Sequence, residues 1–267
     1  MACTAFDYVR GMHPLLARLD RWLVANRPGY HAGLEPGASG TDIDEVARQV
    51  DGDLPPLLRE LLTWRNGQSA DNEGVLESAW SLMSTEEIAT TMDDMAWLVE
   101  NDDFADFWST DWVPFLASGC GDHMCIDLRA AFGGEPGQIV YYSSEGYREV
   151  AYPSLQAWLE TFVVALETGR FEDRGEDCWE PADRASYEAF VAERHPGYPV
   201  ELGVPQPTVR DEFFADSVGE FHQLAHAVDP GRLRAVLRDT GLDNEVVGGA
   251  FDRLIEIRTR GKTAGEK

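Results

Sequence analysis

Apolar positions recur at the three-to-four-residue spacing of a helix in several parts of the first hundred residues. The pattern predicts helices over 14–26, 42–50, the segment LPPLLRELLTWRNGQ (54–68) and about 85–99. Their ends carry recognisable signals: Pro14 in a first turn, Thr41 as N-cap of the second helix, Asn66–Gly67 as a stop for the third, and Ser84 with Glu87 as a capping box for the fourth.

The middle of the chain changes to the two-residue period of β-strands. Short segments rich in aromatic and β-branched residues, separated by Gly-bearing turns, lie at 112–118, 123–128, 138–144 and 147–153. They predict an antiparallel meander. A shorter strand-like segment precedes them at 75–80, and Ser154 then caps a strongly apolar helix that Gly169 ends.

The order of helices, strands and a further helix predicts an α+β fold, an antiparallel β-meander with helices packed on one face. Residues 170–183 are acidic and turn-rich, which is typical of a boundary, and the pattern beyond them is mainly helical. We therefore expect an α+β domain at residues 1–175 and a helical C-terminal extension or subdomain at 176–267.

Five pieces of the chain occur in a recognisable order: RWLVANRPGYHAGLEPGAS, LPPLLRELLTWRNGQ, DWVPFLASGCGDHMCIDL, GEPGQIVYY and SLQAWLETFVVALETG. Taken together, over roughly residues 14–170, they resemble the Smi/Knr family of the SUKH superfamily, which includes fungal regulators of cell-wall synthesis and many bacterial proteins. After GQIVYY the fungal pattern continues with a Gly-Arg-Asp-like turn, where this chain has SSEGYRE.

The resemblance implies a bent antiparallel sheet with helices on one side and no catalytic centre. Bacterial members are regarded as immunity proteins that bind and neutralise toxins, often nucleases, whereas fungal members are scaffolds for signalling proteins. From this resemblance we expect a non-catalytic protein-binding module, namely a bacterial immunity protein that neutralises a cognate toxin, such as a nuclease, through an acidic surface. The alternative is an intracellular scaffold or regulator like the cell-wall-synthesis regulators. The C-terminal region has no counterpart in this resemblance.

The charge of the chain narrows the choice of partner. There are 48 acidic residues against 22 basic ones, a net charge of −26, and fourteen of the acids lie between Arg65 and Arg129, where no Lys or Arg occurs. Such a field repels nucleic acid and anionic membranes and attracts a basic protein. The alternative interpretation is that the acidity serves only solubility.

The N-terminus lacks the basic and apolar blocks of a signal peptide, and no apolar run approaches the roughly 20 residues that span a bilayer. The four cysteines, Cys3, Cys120, Cys125 and Cys178, are scattered, which fits a reducing compartment. We expect a cytoplasmic protein.

Residues 119–128, GCGDHMCIDL, carry the most reactive-looking side chains. Cys120, His123 and Cys125 supply three soft ligands, but tetrahedral zinc needs about four, and no fourth is close in sequence. A nucleophilic pair of Cys120 and His123 is the remote enzymatic alternative. We favour a Gly-bearing turn in which Asp122 hydrogen-bonds its own backbone and Cys125 fills an apolar gap.

Other candidate chemistry is sparse. His222 and His226 lie at i and i+4 of a predicted helix, yet the intervening HQLAH lacks the Glu of a metalloprotease motif. No phosphate-binding loop and no Gly-x-Ser-x-Gly elbow occur. We expect no metal and no cofactor.

The acidic and aromatic segment ENDDFADFWSTDW, residues 100–112, is the best candidate for partner recognition. Its carboxylates can pair with Arg and Lys, and its rings can anchor a partner. The alternative is that the rings face the core while the acids are merely solvated. The predicted contact residues are Asp102, Asp103, Asp106, Trp108, Asp111 and, from the neighbouring turn, Asp122.

Overall fold

The computed structural model describes residues 12–50, 54–69, 71–72, 74–102, 104–175 and 179–202. The helices in these ranges are α1 (Pro14–Asn26), α2 (Pro28–Ala32), α3 (Gly40–Arg48), α4 (Pro56–Trp64), α5 (Thr85–Asn101), α6 (Leu155–Glu167) and α7 (Arg184–Arg194). The strands are β1 (Leu34–Pro36), β2 (Arg65–Gln68), β3 (Ser81–Leu82), β4 (Trp112–Ala117), β5 (His123–Asp127), β6 (Gln138–Tyr142), β7 (Arg148–Tyr152), β8 (Phe171–Asp173), β9 (Trp179–Pro181) and β10 (Val200–Glu201). A short 3₁₀ turn covers Phe104–Asp106.

The main sheet has six strands in the order β10-β7-β6-β5-β4-β3, and every neighbouring pair is antiparallel. The predicted meander is therefore confirmed as β4 to β7, and with it the α+β class. Two small antiparallel pairs, β1–β2 and β8–β9, lie outside this sheet.

Alternation along the central strand β5 divides the interior into two parts. Met124 and Ile126 belong to the main core, which α1, α3, α4 and α6 cover. Cys125 points to the opposite face and belongs to a second core. Helices α1, α3, α4 and α6 thus pack on one face, as predicted, whereas Met95 and Val99 of α5 and aromatic residues of the segment after it cover the other. The members of the second core are Trp108, Trp112, Cys125, Val140, Tyr142, Val150 and Leu202.

Local signals at the element ends are partly confirmed. Ser84 and Glu87 form the predicted capping box, and Gly169 after α6 adopts a positive φ of 68°. The N-cap prediction at Thr41 is wrong, because Ser39 caps α3 and forms a capping box with Asp42.

Two element bounds also differ from the sequence patterns. The α4 helix ends at Trp64, before Asn66–Gly67, because Arg65–Gln68 leaves the helix to pair with β1. Residues 75–80 make only isolated bridges, and the strand follows at Ser81–Leu82.

Residues 179–202 pack with the elements before them. The Tyr187 hydroxyl donates to Glu77 Oε1 at 2.7 Å, and the Trp179 ring lies 5.7 Å from that of Trp22. β10 pairs with β7 at the edge of the main sheet. The chain divides into two compact units, Met1–Pro205 and Gln206–Lys267. The described part of the predicted extension therefore lies in the first unit, and its further predicted helices lie outside the described residues.

None of the helices in the described ranges has the length and apolar composition needed to cross a bilayer.

Candidate protein-binding surface

The aromatic residues after α5 face the sheet. Trp108 is only 1% exposed, and its ring contacts those of Trp112 at 5.3 Å, Tyr142 at 5.0 Å and His123 at 6.1 Å between centroids. Phe104 reaches Tyr142 at 6.5 Å. The 3₁₀ turn at Phe104–Asp106 lets these rings share one side of the segment. The Trp108 ring therefore packs between the segment and the sheet, where it is not accessible to a partner.

The predicted acidic contact residues are spread over this segment. Asp102 follows the last turn of α5 as its C-cap and is exposed, and Asp106 in the 3₁₀ turn is also exposed. Asp111 is partly exposed at the start of β4, where its Oδ1 lies 3.9 Å from Arg129 Nε. Asp103 lies outside the described residues.

Asp122 and Asp106 lie at one end of the main sheet. The β4–β5 turn and the β6–β7 turn meet there, because Asp122 Oδ1 accepts hydrogen bonds from Ser144 N at 2.9 Å and from Ser144 Oγ at 3.1 Å. A Cβ placed on Gly146 of the second turn would lie 3.7 Å from the ring of Phe107, the neighbour of Asp106. Asp111 is at the opposite end of β4. The structure thus places Asp106 and Asp122 near the same end of the sheet and Asp111 at the other end.

The prediction that Asp122 bonds its own turn is wrong. Within this turn the side-chain acceptor is Ser118, whose Oγ accepts hydrogen bonds from the backbone amides of Cys120 and Asp122. The Asp122 carboxylate instead accepts its hydrogen bonds from Ser144 in the β6–β7 turn. Asp127, at the other end of β5, is fully buried. Its carboxylate accepts from the amides of Arg129 and Ala131 and from Gln138 Nε2, so it serves the fold.

The same end of the sheet carries tyrosines and carboxylates that the sequence patterns did not single out. Tyr147 is 42% exposed and donates to Glu149 Oε2 at 2.6 Å. That hydrogen bond, more than burial, raises the pKa of Tyr147 to about 12. Tyr141 packs edge-on against Tyr147 at 6.0 Å and Trp80 at 5.7 Å. The sequence feature that could have pointed to Tyr147 and Glu149 is the segment SSEGYRE, which departs from the pattern of the resembling family.

We call this region the acidic sheet end, defined by the carboxylates of Asp106, Asp122, Glu145 and Glu149 and the rings of Tyr141 and Tyr147. Its phenols stay protonated at neutral pH, because the pKa values of Tyr141 and Tyr147 are both raised. The acidic sheet end therefore places carboxylates next to partly exposed tyrosine rings, an arrangement that can bind cationic side chains through ion pairs and cation–π contacts.

The reactive-looking side chains of residues 119–128 do not assemble into a nucleophilic pair. Cys120 is exposed in the turn, whereas the His123 ring stacks on Tyr142 under Trp108, and no hydrogen bond joins these two described residues. Desolvation lowers the pKa of His123 and raises that of the Cys125 thiol. Cys125 fills the second core, as predicted.

Within the described ranges, no group of three or more His, Cys, Asp and Glu side chains is arranged to hold a metal ion. His222 and His226 lie outside the described residues.

The comparison with protein families agrees with this architecture. The model of the SMI1 / KNR4 family (SUKH-1) matches residues 37–161, which run from the loop before α3 to the middle of α6 and include the whole acidic sheet end. No curated protein is similar enough in sequence to match the chain. At the level of the family, the match supports a non-catalytic immunity or regulatory domain that acts through protein–protein interaction. The match over residues 37–161 thus supports the assignment of this part of the chain to the SMI1 / KNR4 family (SUKH-1).

Proposed function

We propose that this protein is a bacterial immunity protein of the cytoplasm, which neutralises a cognate basic toxin, such as a nuclease, by covering it with an acidic surface. The observation that supports this most directly is the acidic sheet end within the family domain. It combines fixed carboxylates with half-exposed rings.

A nuclease is a fitting partner on electrostatic grounds. An enzyme that binds the phosphate backbone presents Lys and Arg to it. A surface with carboxylates in place of phosphates can pair with those same groups and exclude the substrate. The net charge of −26 adds long-range attraction that accelerates association.

The contact residues that we propose are Asp102, Asp103, Asp106, Asp111 and Asp122, with Glu145 and Glu149 added from the structure. Trp108 contributes as a buried support for the segment that carries Asp106. The rigidity of this support matters, since a surface fixed before binding loses less conformational entropy on association.

The test is co-expression with the product of the neighbouring open reading frame, scored by survival of the host. A quadruple variant, Asp106→Asn, Asp122→Asn, Glu145→Gln and Glu149→Gln, should weaken binding to the purified toxin by about tenfold or more, as expected when central charged contacts are lost. The matched control removes four exposed carboxylates elsewhere: Glu35→Gln, Asp71→Asn, Glu188→Gln and Glu193→Gln.

Failure of the wild-type protein to relieve toxicity would refute the immunity role for that pair. If the wild type relieves toxicity and the quadruple variant and its control lose this protection equally, the acidic sheet end is not the contact surface. A neighbour that binds without being toxic would favour the alternative, a scaffold or regulator.

A further inference from the structure

One face of α5 is left open to solvent in the described part of the chain. Ile88 and Met92 are buried on the inner side of the helix, and Met95 and Val99 pack against the second core. The opposite face is exposed along its length. At helical spacing it presents Glu86, Thr90, Asp93, Asp94, Trp97, Glu100 and Asn101.

Trp97 is the anomaly on this face. It is 61% exposed, whereas each of the other seven tryptophans is buried or partly buried. Its backbone is well held, because Asn101 Nδ2 donates to the Trp97 carbonyl at 2.9 Å. An exposed indole on an ordered helix is a common anchor of protein interfaces, since it supplies a large contact area for little loss of side-chain entropy.

The charges around Trp97 specify the chemistry of its partner. Asp93 and Asp94 lie one turn before it and Glu100 lies one turn after it. Asp93 accepts a hydrogen bond from the neutral amide of Gln49 at 3.1 Å, which leaves its charge uncompensated. Among the described residues, none of these three carboxylates forms an ion pair, and the sequence contains no Lys or Arg from residue 66 to 128. A guanidinium placed over the indole would sit between them and gain both cation–π and ionic contacts.

We infer that the outer face of α5 is a docking surface for an arginine-bearing segment of a basic protein, with Trp97 as its anchor. The inference rests on the proposed function only in taking the partner to be a basic protein. A second copy of this chain is a poor occupant, because two surfaces that both carry Asp93, Asp94 and Glu100 repel each other. The contact spans about 10 Å along the helix from residue 93 to 100, enough for two or three arginines.

The probe is a fluorescein-labelled nona-arginine peptide, titrated with the full chain and followed by fluorescence anisotropy. Trp97→Ala and, separately, Asp94→Asn with Glu100→Gln should each weaken binding by about tenfold, as truncation of an interface anchor does. Two controls should change it by less than about twofold: Val24→Ala, an exposed apolar residue of α1, and Glu188→Gln with Glu193→Gln, two exposed carboxylates of α7.

Equal weakening in the α5 and α7 charge variants would mean that only the overall field attracts the peptide, and would overturn the inference. Wild-type affinity in Trp97→Ala would overturn it as well, and so would a wild-type dimer that Trp97→Ala dissociates. Circular dichroism checks that α5 is retained. The peptide titration and the survival assay can fail independently. If the wild type does not neutralise the product of the neighbouring gene, the immunity role is refuted and the peptide affinities still stand. If the α5 variants bind the peptide as the wild type does, the docking surface is refuted and any survival must depend on another surface.

Discussion

Glu77 is a carboxylate that the fold keeps away from water. It is 6% exposed and accepts hydrogen bonds from Trp158 Nε1 at 3.0 Å and from the Tyr187 hydroxyl at 2.7 Å. Desolvation outweighs these bonds and raises its pKa. Because the protonated form is favoured in the folded state, its stabilising contribution is full below the unfolded pKa of about 4.3 and declines as pH rises through the folded pKa.

We therefore expect the free energy of unfolding of the wild type, relative to that of Glu77→Gln, to fall as the pH is raised from 4.5 to 7.5. Urea titrations at several pH values measure it. Tyr187→Phe removes one donor to the carboxylate and should make the decline larger. A difference between wild type and Glu77→Gln that stays constant with pH would show that Glu77 does not change its protonation preference on folding.

Neighbouring aspartates show how far sequence reasoning reaches at the scale of single residues. Asp122 and Asp127 stand at the two ends of one strand and look equivalent in GCGDHMCIDL. Asp127 is buried because the loop after it folds back and offers two amides and Gln138. Asp122 bridges to Ser144, 22 positions away. The burial of Asp127 depends on the conformation of the β5–β6 loop, and the role of Asp122 depends on contact between two turns. The alternating pattern of the strand encodes neither.

At the scale of elements, the periodic patterns predicted which helices and strands exist better than they predicted the residues at which those elements begin and end. The strands β4 to β7 fall within the four predicted segments, because their buried side chains repeat along the chain. The N-cap of α3 is Ser39, two residues before the predicted Thr41, because Ser39 forms a capping box with Asp42. The run ENDDFADFWSTDW has no period, so its packing against the sheet was one of two open interpretations.

The segment ENDDFADFWSTDW covers the second core, and substitution of Trp108 measures how much this packing stabilises the protein. Replacing a buried tryptophan by alanine removes its contacts with Trp112, Tyr142 and His123 and leaves a cavity. We expect Trp108→Ala to lower the free energy of unfolding by about 3–5 kcal/mol. The matched control is Trp97→Ala, the same change at an exposed position, for which we expect less than about 0.5 kcal/mol. Similar losses in both variants would mean that Trp108 is not a core residue.

At the scale of the whole molecule, binding and folding place different demands on the acidic surface. The excess of carboxylates that attracts a basic partner also repels itself in the compact state. The main core opposes this repulsion with apolar residues drawn from α1 to α7, including Leu16, Leu58, Phe115 and Phe162. The family match ends at residue 161, yet this core continues through Phe171, and residues up to Leu202 complete the second core.

The length of the folding unit follows from these contacts. A chain ending at residue 175, the predicted boundary, would lose the Trp179 ring, which stacks on Phe171 and packs at a tilt against Trp22. It would also lose the Tyr187 donor to Glu77 and the Leu202 contact in the second core. A chain ending at residue 205 keeps all of them. We expect residues 1–205 to unfold cooperatively with urea and residues 1–175 to be destabilised by several kcal/mol, since each lost packing contact of this kind costs about 1 kcal/mol or more. Equal midpoints for the two chains would show that the first 175 residues fold independently, as the boundary in the sequence pattern predicts.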